Sequence, residues 1–260
     1  MDLRGRVSLV TGSTTGIGQA SARALAKAGS SVMVHGRRED RGAAVVDELR
    51  SLGVEADLML GDVADAAFCQ SLVDGCVERF GRIDVLVNNA GILPEGSAPD
   101  TDDEAWLRCM QVNVNAVFFL SRAAVHHMRD QGSGNIINIS SEWGLNGEQG
   151  FVAYCTSKGA LMQMTRCMAL DHAQEGIRVN AVCPGEIHTE MVDNWLASEG
   201  GDPGDNLAKL ASGIPMRRVA QPDEVAACVL FLASDASSYV TGSGLSVDGG
   251  NAATGGPYPG

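Results

Sequence analysis

Val7-Ser8-Leu9-Val10 runs without a break into Thr11-Gly12-Ser13-Thr14-Thr15-Gly16-Ile17-Gly18, and that turn into Gln19-Ala20-Ser21-Ala22-Arg23-Ala24-Leu25-Ala26. The first four residues suit a buried strand and the last eight a helix, so the passage predicts strand, glycine turn and helix start in succession. Such a turn directs the free N–H groups and the positive dipole end of the helix at one point. Residues without side chains let an anion approach it closely, which makes the turn a candidate pyrophosphate cradle. An ordinary βα turn uses the same residue types, so its meaning depends on the rest of the chain.

The pattern repeats to both ends of the chain. Further strands are predicted at 31–35, 54–59, 85–88, 135–139, 178–182 and 245–247, and helices at 17–28, 39–52, 65–80, 102–130, 152–175 and 222–233. Alternating strands and helices are the mark of βαβ units. The expected fold is α/β: a doubly wound, seven-stranded parallel sheet with helices on both faces. No linker, repeat or low-complexity tract divides residues 1–260, so a single domain is expected. The rhythm pauses over 186–215, where Gly200-Gly201-Asp202-Pro203-Gly204 interrupts a helical pattern. An excursion of that length predicts a loop or lid over the substrate. The tail Asn251 to Gly260 reads as irregular, either frayed or packed against another subunit.

Composition removes several classes of function. Hydrophobic residues are 45% and charged residues 20% of the 260, as in globular proteins, and 32 glycines imply many tight turns. Nineteen basic against thirty-two acidic residues leave a formal charge of −13. That field repels phosphate backbones and anionic membranes, so no nucleic-acid or membrane partner is expected. No apolar run reaches membrane-spanning length and Met1-Asp2-Leu3-Arg4 does not open a signal peptide, which suggests a cytoplasmic protein. The cysteines Cys69, Cys76, Cys109, Cys155, Cys167, Cys183 and Cys228 form no C-x-x-C pair and have no histidines at ligand spacing. They read as reduced core residues, with no metal site; Cys155 alone stands beside a candidate site residue.

Tyr154 and Lys158 lie four apart on a predicted helix, so both project from one face. An adjacent ammonium is expected to lower a phenol's pKa toward neutrality. Ser141 follows the fifth strand, at the carboxyl edge where doubly wound sheets bind ligands. The glycine spacing of the first turn, Asn88-Asn89-Ala90-Gly91, Asn113, Ser140-Ser141, Tyr154-x-x-x-Lys158 and Pro184-Gly185 occur in an order that resembles the short-chain dehydrogenase/reductase family over nearly the whole chain.

That resemblance implies a Rossmann-type fold, a nicotinamide cofactor and a catalytic set of Asn113, Ser141, Tyr154 and Lys158. Tyr154 is the implied acid and base toward a carbonyl or secondary alcohol, Ser141 polarises the same oxygen with Ser140 as the alternate, Lys158 binds the nicotinamide ribose, and the buried amide of Asn113 holds a water of a proton relay. Asn115 matches the family's register less well. The implied cofactor contacts are Gly12, Ser13, Thr14, Thr15, Gly16, Ile17 and Gly18 at the phosphates; Asp62 and Val63 at the adenine; Asn88, Ala90 and Gly91; Tyr154 and Lys158; and Pro184, Gly185, Ile187 and Thr189 toward the nicotinamide. The family's tetramers imply a homotetramer pairing the long helices, whose Val117, Phe118, Phe119 and Leu120 are apolar on more than one face.

The end of the second strand reads Val34-His35-Gly36-Arg37-Arg38. Gly36 stands where a ribose-binding aspartate would mark NAD, and Arg37, with Arg38, suits a 2′-phosphate, so NADP(H) is favoured over NAD(H). The segments expected to face a substrate carry Glu142, Trp143, Asn146, Glu148, Gln149, Glu186, His188 and Trp195, polar residues with few large apolar walls. They suit a small sugar, sugar acid or polyol. Two other readings stand beside this one: a 3-oxoacyl thioester reductase, which needs a basic docking surface that a chain at −13 offers poorly, and a non-catalytic dinucleotide-sensing protein, which would need neither Tyr154 nor Lys158.

Overall fold

A computed structural model describes residues 1–198 and 200–254. Seven strands form one parallel sheet in the order β3-β2-β1-β4-β5-β6-β7. They are β1 (Val7–Val10), β2 (Ser31–Gly36), β3 (Ala56–Leu60), β4 (Val85–Asn88), β5 (Gly134–Ile139), β6 (Ile177–Pro184) and β7 (Gly244–Val247). The connecting helices are α1 (Gly16–Lys27), α2 (Glu39–Ser51), α3 (Ala66–Phe80), α4 (Asp103–Met110), α5 (Ala116–Gln131), α6 (Val152–His172), α7 (Glu190–Ser198), α8 (Pro203–Ser212) and α9 (Pro222–Ala233).

Strand alternation explains why helices cover both faces. Leu9, Met33, Leu86, Ile136 and Val179 point to one side, where they pack with Leu72, Val73 and Cys76 of α3 and Leu120, Ala124 and Met128 of α5. Val10, Val34, Val87, Ile137 and Val182 point to the other, against Leu25 of α1, Leu49 of α2 and Val229 and Leu232 of α9. The chain reverses its direction of travel across the sheet between β1 and β4, which opens a crevice at their carboxyl ends.

Several boundaries differ from expectation. The predicted helix over 102–130 contains a π-helical segment, Gln111–Asn115, where the Ala116 N–H reaches back to the Gln111 carbonyl. That extra residue per turn aims Asn113 into the core. Val54 and Glu55 stay outside β3, because Gly53 leaves α2 in a left-handed conformation (φ +86°) and the chain is still turning. α6 stops at His172 and a 3₁₀ turn completes 173–175. The segment 186–215 is two short helices, α7 and α8, separated by Gly200 and Gly201 at φ +72° and +84°. Of the tail, Asn251–Thr254 form a 3₁₀ turn and the remainder lies outside the described residues. Cys69, Cys76, Cys109 and Cys183 are buried as expected of core thiols, whereas Cys167 is exposed. Among the described residues no helix is long and apolar enough to cross a membrane.

Candidate active site

A cavity of about 330 Å³ runs along the carboxyl edge of the sheet, from the glycine turn after β1 to the loops after β5 and β6. At the turn, Gly12 and Gly16 hold φ of +61° and +54°, which disfavour any side chain. A Cβ on Gly18 would lie 2.3 Å from the Gly12 carbonyl oxygen and 2.4 Å from Asn89 Nδ2. Asn89 clamps this turn: its Nδ2 donates to the Thr11 and Gly12 carbonyls at 2.8 and 3.0 Å, and its backbone N–H donates to Thr11 Oγ1 at 3.0 Å. No side chain caps the start of α1. Its free N–H groups face a wall of glycines, and this cradle fits a dinucleotide pyrophosphate.

His35 completes the turn from below. The Gly12 N–H donates to its Nδ1 at 3.1 Å, so Nε2 carries the proton toward the Gly61 carbonyl 3.3 Å away. Burial pushes its pKa down to about 4, against which the Gly61 hydrogen bond works. A base whose folded pKa lies below its unfolded one contributes stability above pH 6.5 that is lost as pH falls toward 4, here up to about 3 kcal/mol. His35→Asn is therefore expected to be weaker than the parent at pH 7.5 yet to lose less stability on going to pH 4.5. Urea melts of both chains at the two pH values read this difference and cancel the opposite slope of buried carboxyls. An equal loss in parent and variant would refute the assignment.

Farther along, Arg37 lines the cavity while Arg38 occupies the cap of α2, outside it. A Cβ on Gly36, at the position expected for a ribose-binding carboxylate, would come within 2.4 Å of Thr14 Cγ2, so a side chain there requires Thr14 to shift. Asp62 accepts from the Ala64 N–H at 3.0 Å and from Arg108 Nη2 at 2.7 Å. Burial raises its carboxyl, but these two partners outweigh burial and hold it below the usual carboxylate range.

Tyr154, Lys158 and Ser141 meet on one wall. The Ser141 side chain stands by the Tyr154 hydroxyl and acts on it, and Lys158 Nζ lies 5.4 Å from the Tyr154 ring centroid. Lys158 is 4% exposed and donates to the Ile139 carbonyl at 2.8 Å. Burial pushes its pKa down to about 8. The phenol does not follow the expected direction: burial raises it above its ordinary value, the Ser141 side chain opposes this, and the Glu186 carboxylate adds to the rise. Ser140 also lines the cavity, but its hydroxyl donates to the Lys158 carbonyl at 2.9 Å.

Two expected site residues have other employment. Asn113 stands behind the wall with Nδ2 donating to the Ile92 carbonyl and Ser157 Oγ at 2.9 and 3.0 Å, and Oδ1 accepting from the Ile92 N–H at 2.9 Å. Its side-chain amide thus bonds to Ile92 and Ser157. The Asn88 side chain turns into the core toward Ser121 and Asn138 at 3.1 and 2.9 Å, away from the cavity, and Asn89 stands there instead.

Of the remaining expected contacts, Gly12, Thr14, Thr15, Gly16, Ile17, Val63, Ala90, Gly91, Pro184, Gly185, Ile187 and Thr189 line the cavity. Ser13 does not, because its hydroxyl donates to the Val10 carbonyl. At the substrate end, Glu142, Trp143, Glu186 and Trp195 line it, whereas Asn146, Glu148 and Gln149 are exposed outside and His188 turns to Asp193 at 3.3 Å. That end is more apolar than expected: Trp143, Phe151 and Trp195 form a cluster with centroids 4.8 to 6.3 Å apart. Sequence reading also missed His35, Gly61, Asn89, Arg108 and the α7 residues Glu190, Met191 and Val192. Asn89 and His35 stood within quoted stretches; the others carried no local signal.

A Rossmann sheet with a glycine cradle at its switch point defines a dinucleotide-binding protein. The family model described as enoyl-(acyl carrier protein) reductase matches residues 12–252. An oxidoreductase of Thermotoga maritima is 42% identical over 254 residues, covering 97% of this chain and all of the relative. The meso-2,3-butanediol dehydrogenase of Serratia marcescens is 36% identical, covering 96% of each chain. The crystal structure of a gluconate 5-dehydrogenase from Burkholderia cenocepacia, in complex with NADP and tartrate, superimposes with TM-score 0.90 at 36% identity and 97% coverage of both. The chain belongs to the short-chain dehydrogenase/reductase family of NAD(P)-dependent oxidoreductases, which act on alcohols and ketones.

Proposed function

We propose that this enzyme uses NADP(H) to interconvert a secondary alcohol and its ketone in a small substrate bearing several hydrogen-bond donors, of the polyol kind, with Tyr154 as proton donor and acceptor. The observation that carries the reading is the meeting of Tyr154, Ser141 and Lys158 on the cavity wall, with the Lys158 ammonium 5.4 Å from the Tyr154 ring. With its pyrophosphate in the cradle, the cofactor would supply or accept the hydride at its nicotinamide. Tyr154, held protonated by burial, is in the form that gives its proton to a carbonyl oxygen, and in the reverse direction it takes the alcohol's proton. Ser141 accepts from the Trp143 N–H at 3.1 Å, which leaves its own hydrogen for the Tyr154 oxygen or the substrate oxygen. Lys158, fixed by one bond to Ile139, has two N–H groups left for ribose hydroxyls. Asn113 ties Ile92 to α6 through Ser157 and is assigned a positioning role.

Arg37 and the lack of a carboxylate at Gly36 support NADP(H), since a guanidinium pairs with a 2′-phosphate through charge-assisted hydrogen bonds. Glu142 and Glu186 weigh against a sugar acid, whose carboxylate they would disfavour. The same acidity weighs against an acyl-carrier substrate. Segment 186–215 is assigned as a lid: Glu190 of α7 forms a two-pronged ion pair with Arg41 of α2, at 2.5 and 3.0 Å, across the cavity mouth. Leu107 and Phe118, exposed on α4 and α5, support assembly through those helices.

Initial rates with NADPH and NADH at matched concentrations, over a panel of ketones and polyols, test the reading. Turnover is expected with NADPH, and Arg37→Ala is expected to lower kcat/KM for NADPH by about 10- to 100-fold while NADH changes about twofold or less. A strong NADH preference in the parent would remove the argument from Arg37. Tight cofactor binding with no turnover of any substrate would instead favour a dinucleotide sensor.

A further inference from the structure

The substrate end of the cavity holds two carboxyl groups, Glu142 and Glu186, that the proposed chemistry does not use. Glu142 is 3% exposed, lines the cavity, and its Oε2 makes no hydrogen bond with any described residue, although its carboxyl also meets the Asn251 side chain. Glu186 lines the same space, and the carboxylates of Glu186, Asp248 and Glu148 all act on Glu142. Among the described residues lining the cavity the cations are Arg37, Arg108 and Lys158. Arg37 and Arg108 stand at the far end beside Asp62, and the Lys158 ammonium is turned to the Ile139 carbonyl.

Two carboxyls sharing a desolvated pocket resist ionising together. Burial pushes Glu142 up to about 8, with the neighbouring acids adding to it, and Glu186 up to about 7, with Glu148 adding to it. An unpaired buried carboxyl disfavours folding, and a cation brought by the ligand is what relieves it. The neighbouring rings suit the same guest. Trp143 stands nearly perpendicular to both Tyr154 (89°, 5.9 Å) and Trp195 (87°, 6.3 Å), so the rings enclose a corner instead of stacking flat. Aromatic faces attract an ammonium most strongly where water is excluded.

Resting on the oxidoreductase reading above, we infer that one donor of the substrate is a protonated amine: the enzyme acts on an amino alcohol and its amino ketone, with Glu142 and Glu186 holding the ammonium beside Trp143 and Trp195 while Tyr154 and Ser141 meet the reacting oxygen.

Three matched probes, 1-amino-2-propanol, 1,2-propanediol and lactate, share one carbinol and differ in carrying ammonium, hydroxyl or carboxylate. Binding to the NADP⁺-loaded enzyme is followed by tryptophan emission, which needs no turnover, and oxidation is measured separately by cofactor absorbance. The amine is expected to bind at least about tenfold more tightly than the diol and lactate weakest, a preference of about 1.4 kcal/mol. Glu142→Gln and Glu186→Gln are each expected to reduce the amine-to-diol ratio severalfold. Equal or tighter binding of the diol, no binding of the amine, or an unchanged ratio in a folded Glu142→Gln or Glu186→Gln would overturn the inference. In the last case Glu142 would serve only to anchor Asn251. Should Glu142→Gln fail to fold, the parent's ratio and Glu186→Gln still decide. The preference for the amine without oxidation of any alcohol would keep the cation site and sink the oxidoreductase reading; oxidation without the preference would do the reverse.

Discussion

Tyr154→Phe is expected to lower kcat/KM by about 10²- to 10⁴-fold, the range for losing a positioned acid–base group, while NADPH binds about as before. The ring keeps its edge-on contact with Trp143 at 5.9 Å and its place over the Lys158 ammonium, so packing is retained and only the hydroxyl is lost. Steady-state rates together with a fluorescence titration of NADPH separate the two quantities. A variant within about tenfold of the parent would mean that another group handles the proton. Because burial holds the phenol protonated, carbonyl reduction is expected to dominate near neutral pH and alcohol oxidation to gain as pH rises.

Gly18→Ala acts at the opposite end of the cavity. The added methyl would sit 2.3 Å from the Gly12 carbonyl oxygen and 2.4 Å from the Asn89 amide that clamps the turn. Backbone cannot yield as a flexible side chain does, so α1 must move away from the turn. The expected result is a stability loss of about 1–3 kcal/mol and a weakening of NADPH binding by about tenfold or more, with the Tyr154 wall unaltered. Thermal melts and cofactor titration measure both. Unchanged NADPH affinity would show that the approach of α1 to the turn does not shape the phosphate cradle.

Much of the fold was legible along the chain because both of its signals are local. Short aliphatic runs such as Val7–Val10 and Ile136–Ile139 can be buried on both faces only in a covered parallel sheet, and the intervening helical periodicity supplies the cover. Tyr154 and Lys158 could be paired from sequence because four residues is one helical turn. The π-helical segment at Gln111–Asn115 could not be read, since its cause is tertiary: Asn113 must reach Ile92 and Ser157 on other elements. The same holds for Asn88 and Asn89, adjacent in sequence yet directed to opposite environments, one to Ser121 and Asn138 in the core and the other to the glycine turn.

The amino-acid order alone thus specified the doubly wound sheet and the glycine turn, which depend on periodicity or on spacings within a few residues, while the candidate site residues followed from the resemblance to the short-chain dehydrogenase/reductase family. Charge and proton affinity depend on distance through space and on exclusion of water, and those arose from packing. Burial set Tyr154 high and Lys158 and His35 low, and folding brought Glu142 and Glu186, 44 positions apart, to one cavity with Trp143 and Trp195 beside them.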